Sequence, residues 1–142
     1  MPVIATDKAR LSALIKDYDE PRNPALFVDV ITANETAATT YTLGTVLGQI
    51  NASGKWIVSK PAATDGSQTP KAIYIGTGDA LGAPSDTVLA ANTDTKVLAL
   101  TRGKVIVAAA ALVLDPTIND ATKRATAYAA LKAVGILVET SV

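Results

Sequence analysis

The chain has 142 residues, with 13 Lys and Arg against 13 Asp and Glu. This length predicts one domain with a core of ordinary size, and the balanced charge offers no basic excess for binding nucleic acid or anionic lipid. Because the sequence contains neither His nor Cys, it lacks the commonest general base, the commonest metal ligand and any thiolate or disulfide. The residues alone therefore favour a non-catalytic domain without a metal, although catalysis through carboxylates, Lys or Tyr remains open.

The N-terminal segment carries an apolar stripe with helical spacing. Leu11, Leu14, Ile15 and Tyr18 fall at i, i+3, i+4 and i+7, which predicts an amphipathic helix over Asp7–Tyr18. A helix of about three turns is marginal alone in water, so it must pack against a larger surface. That surface is either its own domain or a partner protein, and the residues alone leave both open.

A proline-broken charged stretch and a strand-like run follow the predicted helix. Residues 25–31, ALFVDVI, are expected to form a strand or an extended arm, and residues 32–40, TANETAATT, a polar linker. The composition therefore predicts two regions, an N-terminal arm with a short helix over residues 1–40 and a β-rich domain over residues 41–142.

From Tyr41 onward, short apolar runs alternate with turns rich in Gly and Asn. The expected strands are Leu43–Ile50, Lys55–Ser59, Ala72–Ile75, Thr87–Ala91, Lys96–Thr101 and Lys104–Ala108. Several short strands at this spacing are typical of a barrel-like or sandwich-like fold. The most apolar run, from Val105 to Leu114, is too short to span a bilayer, so no membrane segment is predicted.

The period changes near the C-terminus. A helix is predicted within Asn119–Val134, where Ala127, Leu131 and Val134 form an apolar stripe. Asn119 or Asp120 can cap its start, and Gly135 can end it. The chain then returns to a β-type run, residues 136–138. The fold class predicted is α+β, mostly β, a small compact barrel-like or sandwich-like domain with a short C-terminal helix and an extended N-terminal arm.

Three features could carry chemistry, and each has a simpler structural interpretation. Gly76-Thr77-Gly78 follows a strand-like run, but it lacks the third glycine of a nucleotide loop and reads as a turn. Asp65, Asp79 and Asp86 lack the spacing of a calcium loop. Trp56 could be a stacking platform for a base or a sugar, although core or trimer-interface packing is the commoner role for a single large ring.

An ordered series of segments resembles the bacteriophage head decoration family, typified by the capsid-stabilising protein of phage lambda. The resemblance covers roughly residues 41–142 and is carried by LGTVLG at 43–48, SGKW at 53–56, PAATDGSQT at 61–69, AIY at 72–74, residues 94–107 and residues 120–138. Each segment alone is weakly specific, and their order and spacing together carry the resemblance. Residues 1–40 depart from the family pattern as we know it.

The resemblance implies a non-enzymatic structural protein of the virion that binds no cofactor and is made in the host cytoplasm. Such proteins bind the major capsid protein on the outside of the expanded head. They sit there as homotrimers at three-fold and quasi-three-fold positions and stabilise the head against internal DNA pressure. By analogy with the family, the N-terminal region is expected to grip the capsid. The residues expected to make capsid contacts are Leu11, Leu14, Ile15, Tyr18, Leu26, Val28 and Val30. The alternative is another virion module, such as a tail or fibre component that binds a receptor or carbohydrate.

Overall fold

A computed structural model describes residues 15–18, 28–76, 86–102 and 104–140. Strands make up 41% of the structure and only one α-helix longer than a turn occurs in the described part, so the prediction of a mostly β domain with a short C-terminal helix is confirmed. The strands are β1 Ile15–Tyr18, β2 Val28–Ala33, β3 Thr39–Tyr41, β4 Val46–Gln49, β5 Trp56–Val58, β6 Pro70–Gly76, β7 Thr87–Leu89, β8 Thr95–Leu100, β9 Val105–Ala108 and β10 Ile136–Glu139; the helix α1 is Ala121–Ala133, and a 3-10 turn spans Ala109–Ala111.

Five of the strands form a closed barrel in the order β2-β5-β4-β6-β8. The longest ladder joins β2 to β8 in antiparallel register, from Val28 opposite Leu100 to Ala33 opposite Thr95. The barrel closes where β2 meets β5 in parallel, with Ala33 opposite Trp56. Closure removes most exposed sheet edges from this part of the molecule, which is how small all-β domains limit unwanted strand pairing.

Two smaller sheets complete the described structure. In the first, β9 lies in the centre, with β10 parallel on one side and β1 antiparallel on the other. The second is a two-stranded ribbon in which β3 pairs with β7, Thr39 opposite Leu89 and Tyr41 opposite Thr87. The term "ribbon" is used below for this β3–β7 pair.

The barrel interior is filled by one cluster of buried side chains, here called the inner core. Two rings from different sheets, Tyr41 and Tyr74, meet edge to face at a centroid distance of 5.5 Å. The other buried members are small or aliphatic, and they are Ile31, Ala33, Leu47, Ala72, Leu89, Val97 and Ala99. Because the interior of a narrow barrel is tapered, two large rings leave room mainly for small neighbours.

A second cluster, here called the outer core, lies on the other face of the barrel wall. It joins barrel residues to α1, β9 and β10, and its buried members are Leu43, Val46, Ile73, Leu100, Val105, Val107, Leu131 and Ile136. Successive side chains of a strand point to opposite faces, so Val46 belongs to the outer core and Leu47 to the inner core. The partial alternation in the sequence is therefore explained by strands that are buried on both faces.

The predicted C-terminal helix forms, with the caps that the sequence indicated. Asp120 precedes α1, and its carboxylate accepts a hydrogen bond from the backbone N–H of Lys123 at 2.8 Å. Gly135 follows the helix with φ +91°, a left-handed conformation that favours glycine. Ala127 and Leu131 are the buried residues of the helix, so its apolar stripe faces the barrel as expected.

The predicted N-terminal helix is wrong in the part that the structure describes. Ile15–Tyr18 form the strand β1, which pairs with β9 from Ile15 opposite Val107 to Tyr18 opposite Val105. A four-residue stretch can satisfy a short apolar pattern in either conformation, and the hydrogen bonds available along β9 favour the strand. Residues 7–14 of the predicted helix lie outside the described residues.

The expected linker over residues 32–40 also has regular structure at both ends. The strand β2 continues through Ala33, and β3 begins at Thr39. The described residues between them, 34–38, form a short loop. The strand β3 was not predicted, because TTY is short and lies at the end of a polar stretch.

A close backbone approach fixes the loop that precedes β6. At Gly48 an added Cβ would lie 2.1 Å from the backbone oxygen of Ser67. Only glycine therefore allows this loop to press against β4 at the irregularity in the β4–β6 ladder. The glycine-rich segment at 43–48 is consequently required by packing.

Candidate functional site

The seven residues expected to contact a capsid fall into three groups. Leu11, Leu14 and Leu26 lie outside the described residues. Ile15 and Tyr18 lie at the two ends of β1, at an edge of the three-stranded sheet. Val28 and Val30 lie on β2, within the barrel wall. Whether any of them touches a capsid stays a prediction.

The two valines of β2 differ in exposure. Val28 is partly buried and packs against the outer core. Val30 is 64% exposed, although it lies in a strand of the barrel. A β-branched apolar side chain at this exposure has lost little contact with water on folding, so it is available to a partner at no cost to the core.

Trp56 is neither fully buried nor free. Its ring is partly buried and packs against the inner core. The exposed part of the residue lines a depression that also contains Asp29, Val30, Lys71 and Arg102. This packing fits the core role expected for a single large ring, and a role at a trimer interface stays a prediction.

Polar contacts surround this depression. Asp29 on β2 accepts a hydrogen bond from the Thr101 hydroxyl at 2.5 Å and forms an ion pair with the Arg102 guanidinium. The hydrogen bond from Thr101, together with Arg102, holds the pKa of Asp29 below its ordinary value. These contacts tie the start of β2 to the end of β8.

A second polar cluster joins three segments near the other end of β2. The carboxylate of Asp94 accepts hydrogen bonds from the Asn34 amide at 2.5 Å and from the Lys55 ammonium at 2.9 Å. The bond from Asn34, followed by that from Lys55, lowers the pKa of Asp94. Because the cluster is exposed, each contact adds little stability, but the three partners fix the relative positions of their loops.

The other candidates for chemistry have structural roles or lie outside the described residues. Asp65 accepts hydrogen bonds from the hydroxyl and the backbone N–H of Ser67. These bonds form a local turn and lower the pKa of Asp65. Asp86 is exposed just before β7, and Asp79, Thr77 and Gly78 lie outside the described residues. Within the described ranges, no group of three or more acidic, His or Cys side chains is placed to hold a metal ion.

Glu35, the most buried carboxylate of the described structure, was not predicted from the sequence. Glu35 is only 5% exposed, and its Oε2 accepts hydrogen bonds from the Tyr41 hydroxyl at 2.5 Å and from the Val58 backbone N–H at 2.7 Å. No sequence signal could have found it, because a single Glu within TANETAATT is typical of a solvated loop.

The remaining exposed apolar side chains are scattered over the surface. Among the described residues, the large ones besides Val30 are Val88 at 74%, Val113 at 45% and Leu137 at 44% exposure. They lie on the ribbon, next to β4 and on β10. In the part of the chain that the structure describes, no helix is long and apolar enough to cross a bilayer.

These features define a class of protein: a small β-barrel domain, covered by a helix and a short sheet, whose buried polar groups serve the fold. Comparison with known families then identifies it. The family described as bacteriophage lambda head decoration protein D matches residues 27–136, well over half of the chain. The chain therefore belongs to this family of phage head proteins, as the ordered segments predicted. A search of the curated proteins found no match.

Family membership gives a coarse account of the role. The protein is a structural component of the bacteriophage capsid, and its place is the virion. The match begins at residue 27, one residue before β2. The barrel, the buried residues of both cores and the whole of α1 thus lie within the family match, whereas β1 and all of β10 after Ile136 lie outside it.

Proposed function

We propose that this protein is a cementing protein of the phage head. It binds the major capsid protein on the outside of the expanded head, as a homotrimer at three-fold and quasi-three-fold positions, and stabilises the head against internal DNA pressure. The observation that carries this proposal is the family match over residues 27–136. A closed ring of identical subunits also satisfies all its own contacts without growing into a filament.

The assembly state has a direct test. Light scattering on the free protein measures whether it is a trimer in solution, and a reconstruction of decorated heads gives the positions of the bound copies. We expect density for three copies at each three-fold and quasi-three-fold position. Single copies away from these positions would refute the trimeric arrangement.

We further propose that the N-terminal residues grip the capsid. Residues 1–26 lie outside the family match, and β1 is an edge strand of the β1-β9-β10 sheet. An apolar extended segment can add to a sheet edge on a partner, where backbone hydrogen bonds supply affinity with little demand on sequence. Copies tied in a trimer would offset the entropy cost of ordering by avidity.

The structure indicates where the deletion that tests this arm should end. Removing all of residues 1–40 would delete β2 and with it one wall of the barrel, so its failure to fold would be uninformative. A chain that starts at Ile15 keeps every described element. We expect it to fold and to form the same oligomer as the full chain, yet to bind expanded heads more weakly, because it lacks Leu11 and Leu14.

Three outcomes of this experiment can be distinguished. Binding equal to that of the full chain would eliminate residues 1–14 from the grip. Loss of folding would indicate that these residues pack on their own domain. Loss of binding with an unchanged melting temperature and oligomeric state would support a capsid-binding role for residues 1–14. If only the full chain makes expanded heads resistant to heat, these residues also contribute to head stabilisation.

Val30 provides a second test, because it is exposed and was expected to contact the capsid. Val30→Asp should leave the melting temperature nearly unchanged, since surface substitutions usually shift stability by less than about 0.5 kcal/mol. It should weaken binding to heads if the side chain is buried at the interface. Val88→Asp is the matched control, since Val88 is the more exposed valine at 74% and was not expected to bind.

A further inference from the structure

The ribbon is attached to the barrel in an unusual way. In the described structure, β3 and β7 pair with each other and with no barrel strand. Nevertheless, Tyr41 of β3 and Leu89 of β7 are fully buried members of the inner core. Since the barrel wall is closed, side chains from a separate ribbon reach the interior only through an end of the barrel, and the ribbon therefore covers that end.

A ribbon of two three-residue strands is not stable by itself. Isolated two-stranded ribbons are marginal in water at best, so this one depends on its attachments. On the β6 side, the Tyr41 ring packs on the Tyr74 ring, and the Tyr74 hydroxyl is 2.6 Å from the Thr87 hydroxyl. On the opposite side, the attachments converge on one residue, Glu35.

Glu35 connects the ribbon to the barrel through both its side chain and its backbone. Its Oε2 accepts from the Tyr41 hydroxyl of β3 and from the Val58 N–H of β5. Its backbone oxygen accepts from the N–H of Asn92, at 2.7 Å, in the turn between β7 and β8. Asn92 adopts φ +55°, a left-handed conformation that Asn tolerates and that this turn requires.

The carboxylate also takes the place of a missing strand partner. The parallel β2–β5 pairing has Ala33 opposite Trp56, and the backbone N–H of Asn34 then donates to the Trp56 oxygen at 3.0 Å. Further along the junction between β2 and β5, the backbone N–H of Val58 donates its hydrogen bond to the Glu35 side chain. A charged acceptor makes hydrogen bonds about twice as strong as a neutral one.

We propose that the hydrogen bonds of Glu35, together called the latch, hold the ribbon over the end of the barrel. When these bonds are lost, the ribbon opens as a local unit. Burial, and the nearby Glu35 carboxylate, raise the pKa of the Tyr41 hydroxyl far above its ordinary value, so this hydroxyl stays protonated and remains a donor. Opening exposes Tyr41 and Leu89 and leaves the outer core intact, because no ribbon residue belongs to that cluster.

Hydrogen exchange on the full chain tests this proposal. In Glu35→Gln we expect exchange of the amides of β3 and β7 to accelerate about tenfold or more, and the amides of β9 and β10 to keep their rates. Glu139→Gln is the matched control, because Glu139 is an exposed carboxylate on β10. Equal acceleration throughout the chain, or none in the ribbon, would overturn the proposal.

A second variant keeps the test decisive if Glu35→Gln does not fold. Tyr41→Phe retains the ring in the inner core and removes only the hydroxyl that donates to Glu35. We expect a smaller acceleration, still confined to the ribbon. If Tyr41→Phe changes exchange uniformly, or leaves the ribbon amides unchanged, the ribbon is not held by this contact and the latch is refuted.

Discussion

The two cores of this protein share the same barrel strands but differ in chemistry. The outer core consists of aliphatic side chains alone, whereas the inner core contains two tyrosines whose hydroxyls must be paired inside the fold. Tyr41 donates to Glu35, and Tyr74 is bonded to Thr87. Aliphatic packing has no direction and tolerates change if volume is kept, while a buried hydroxyl costs free energy unless its particular partner is in place.

The difference between the two cores indicates how a chain with few aromatic residues specifies one structure. The outer core joins the helix, β9 and β10 to the barrel through aliphatic contacts. The inner core contains the two largest fully buried side chains, Tyr41 and Tyr74, and the hydrogen bonds of their hydroxyls fix the position of the ribbon. Substitutions in the two cores and at their edges test this difference, and the expected losses of stability decrease from Leu131→Ala to Asp29→Asn.

Leu131→Ala should have the largest effect, because Leu131 is fully buried between the helix and the barrel wall. Removing a fully buried Leu side chain costs about 2–4 kcal/mol through lost transfer energy and the cavity left behind. Chemical denaturation measures the loss. Val46→Ala should cost less, and Asp86→Asn, at an exposed position, should change little. Equal shifts for Leu131→Ala and Asp86→Asn would contradict the outer-core assignment.

Tyr74→Phe tests the inner core with no change in ring volume. It removes the hydroxyl bonded to Thr87, which is itself only 8% exposed. We expect a loss of about 1–2 kcal/mol from the broken hydrogen bond and the partner left behind. Thr87→Val removes the same bond from the other side. If both variants match the wild-type stability, the inner core does not depend on its polar contacts.

Asp120→Ala should weaken the helix that covers the outer core. The Asp120 side chain caps α1 through the Lys123 N–H, and loss of such a cap typically costs about 1 kcal/mol. Asp120→Asn keeps a good capping residue and serves as the control. Melting temperatures that fall equally for the two variants would show that the effect is not due to capping.

Asp29→Asn should have the smallest effect, and one that depends on pH. Because the Thr101 hydroxyl and Arg102 lower the folded pKa of Asp29, its ionised form contributes stability above the unfolded pKa, which is near 3.8. This contribution is lost as pH falls through the folded pKa. The stability difference between wild type and variant should be present at neutral pH and vanish in acid. A difference that grows on acidification would reverse the assigned sign.

Much of the domain could be predicted from local pattern. The strands predicted at 43–50, 55–59, 72–75, 87–91, 96–101 and 104–108 each overlap an observed strand, with boundaries shifted by a few residues. The helix predicted from Asn119 to Val134 is observed as Ala121–Ala133. These elements were recognisable because their turns are marked by Gly, Asn or Asp and because the helix carries its own cap.

The candidate binding residues were predicted with less success. The interpretation of Ile15 and Tyr18 as helical was wrong, since both lie on a strand, and the contact role of all seven residues stays a prediction. Val28 and Val30 are identical residues two positions apart on one strand, yet one packs on the outer core and the other is exposed. Nothing in the sequence distinguishes them, because the difference depends on which elements cover that face of the barrel.

The family, the mostly β composition, the C-terminal helix and the glycine turns could be predicted from the sequence, because each of these depends on residues that are close together in the chain. Only the folded structure shows the pairing of β1 with β9, the closure of the barrel between β2 and β5, and the burial of Glu35 beneath the ribbon. These depend on contacts between distant segments, such as Glu35 with Val58 and Ile15 with Val107. A backbone N–H or a carboxylate takes whichever partner the assembled fold brings within reach, and local pattern carries no information about that partner.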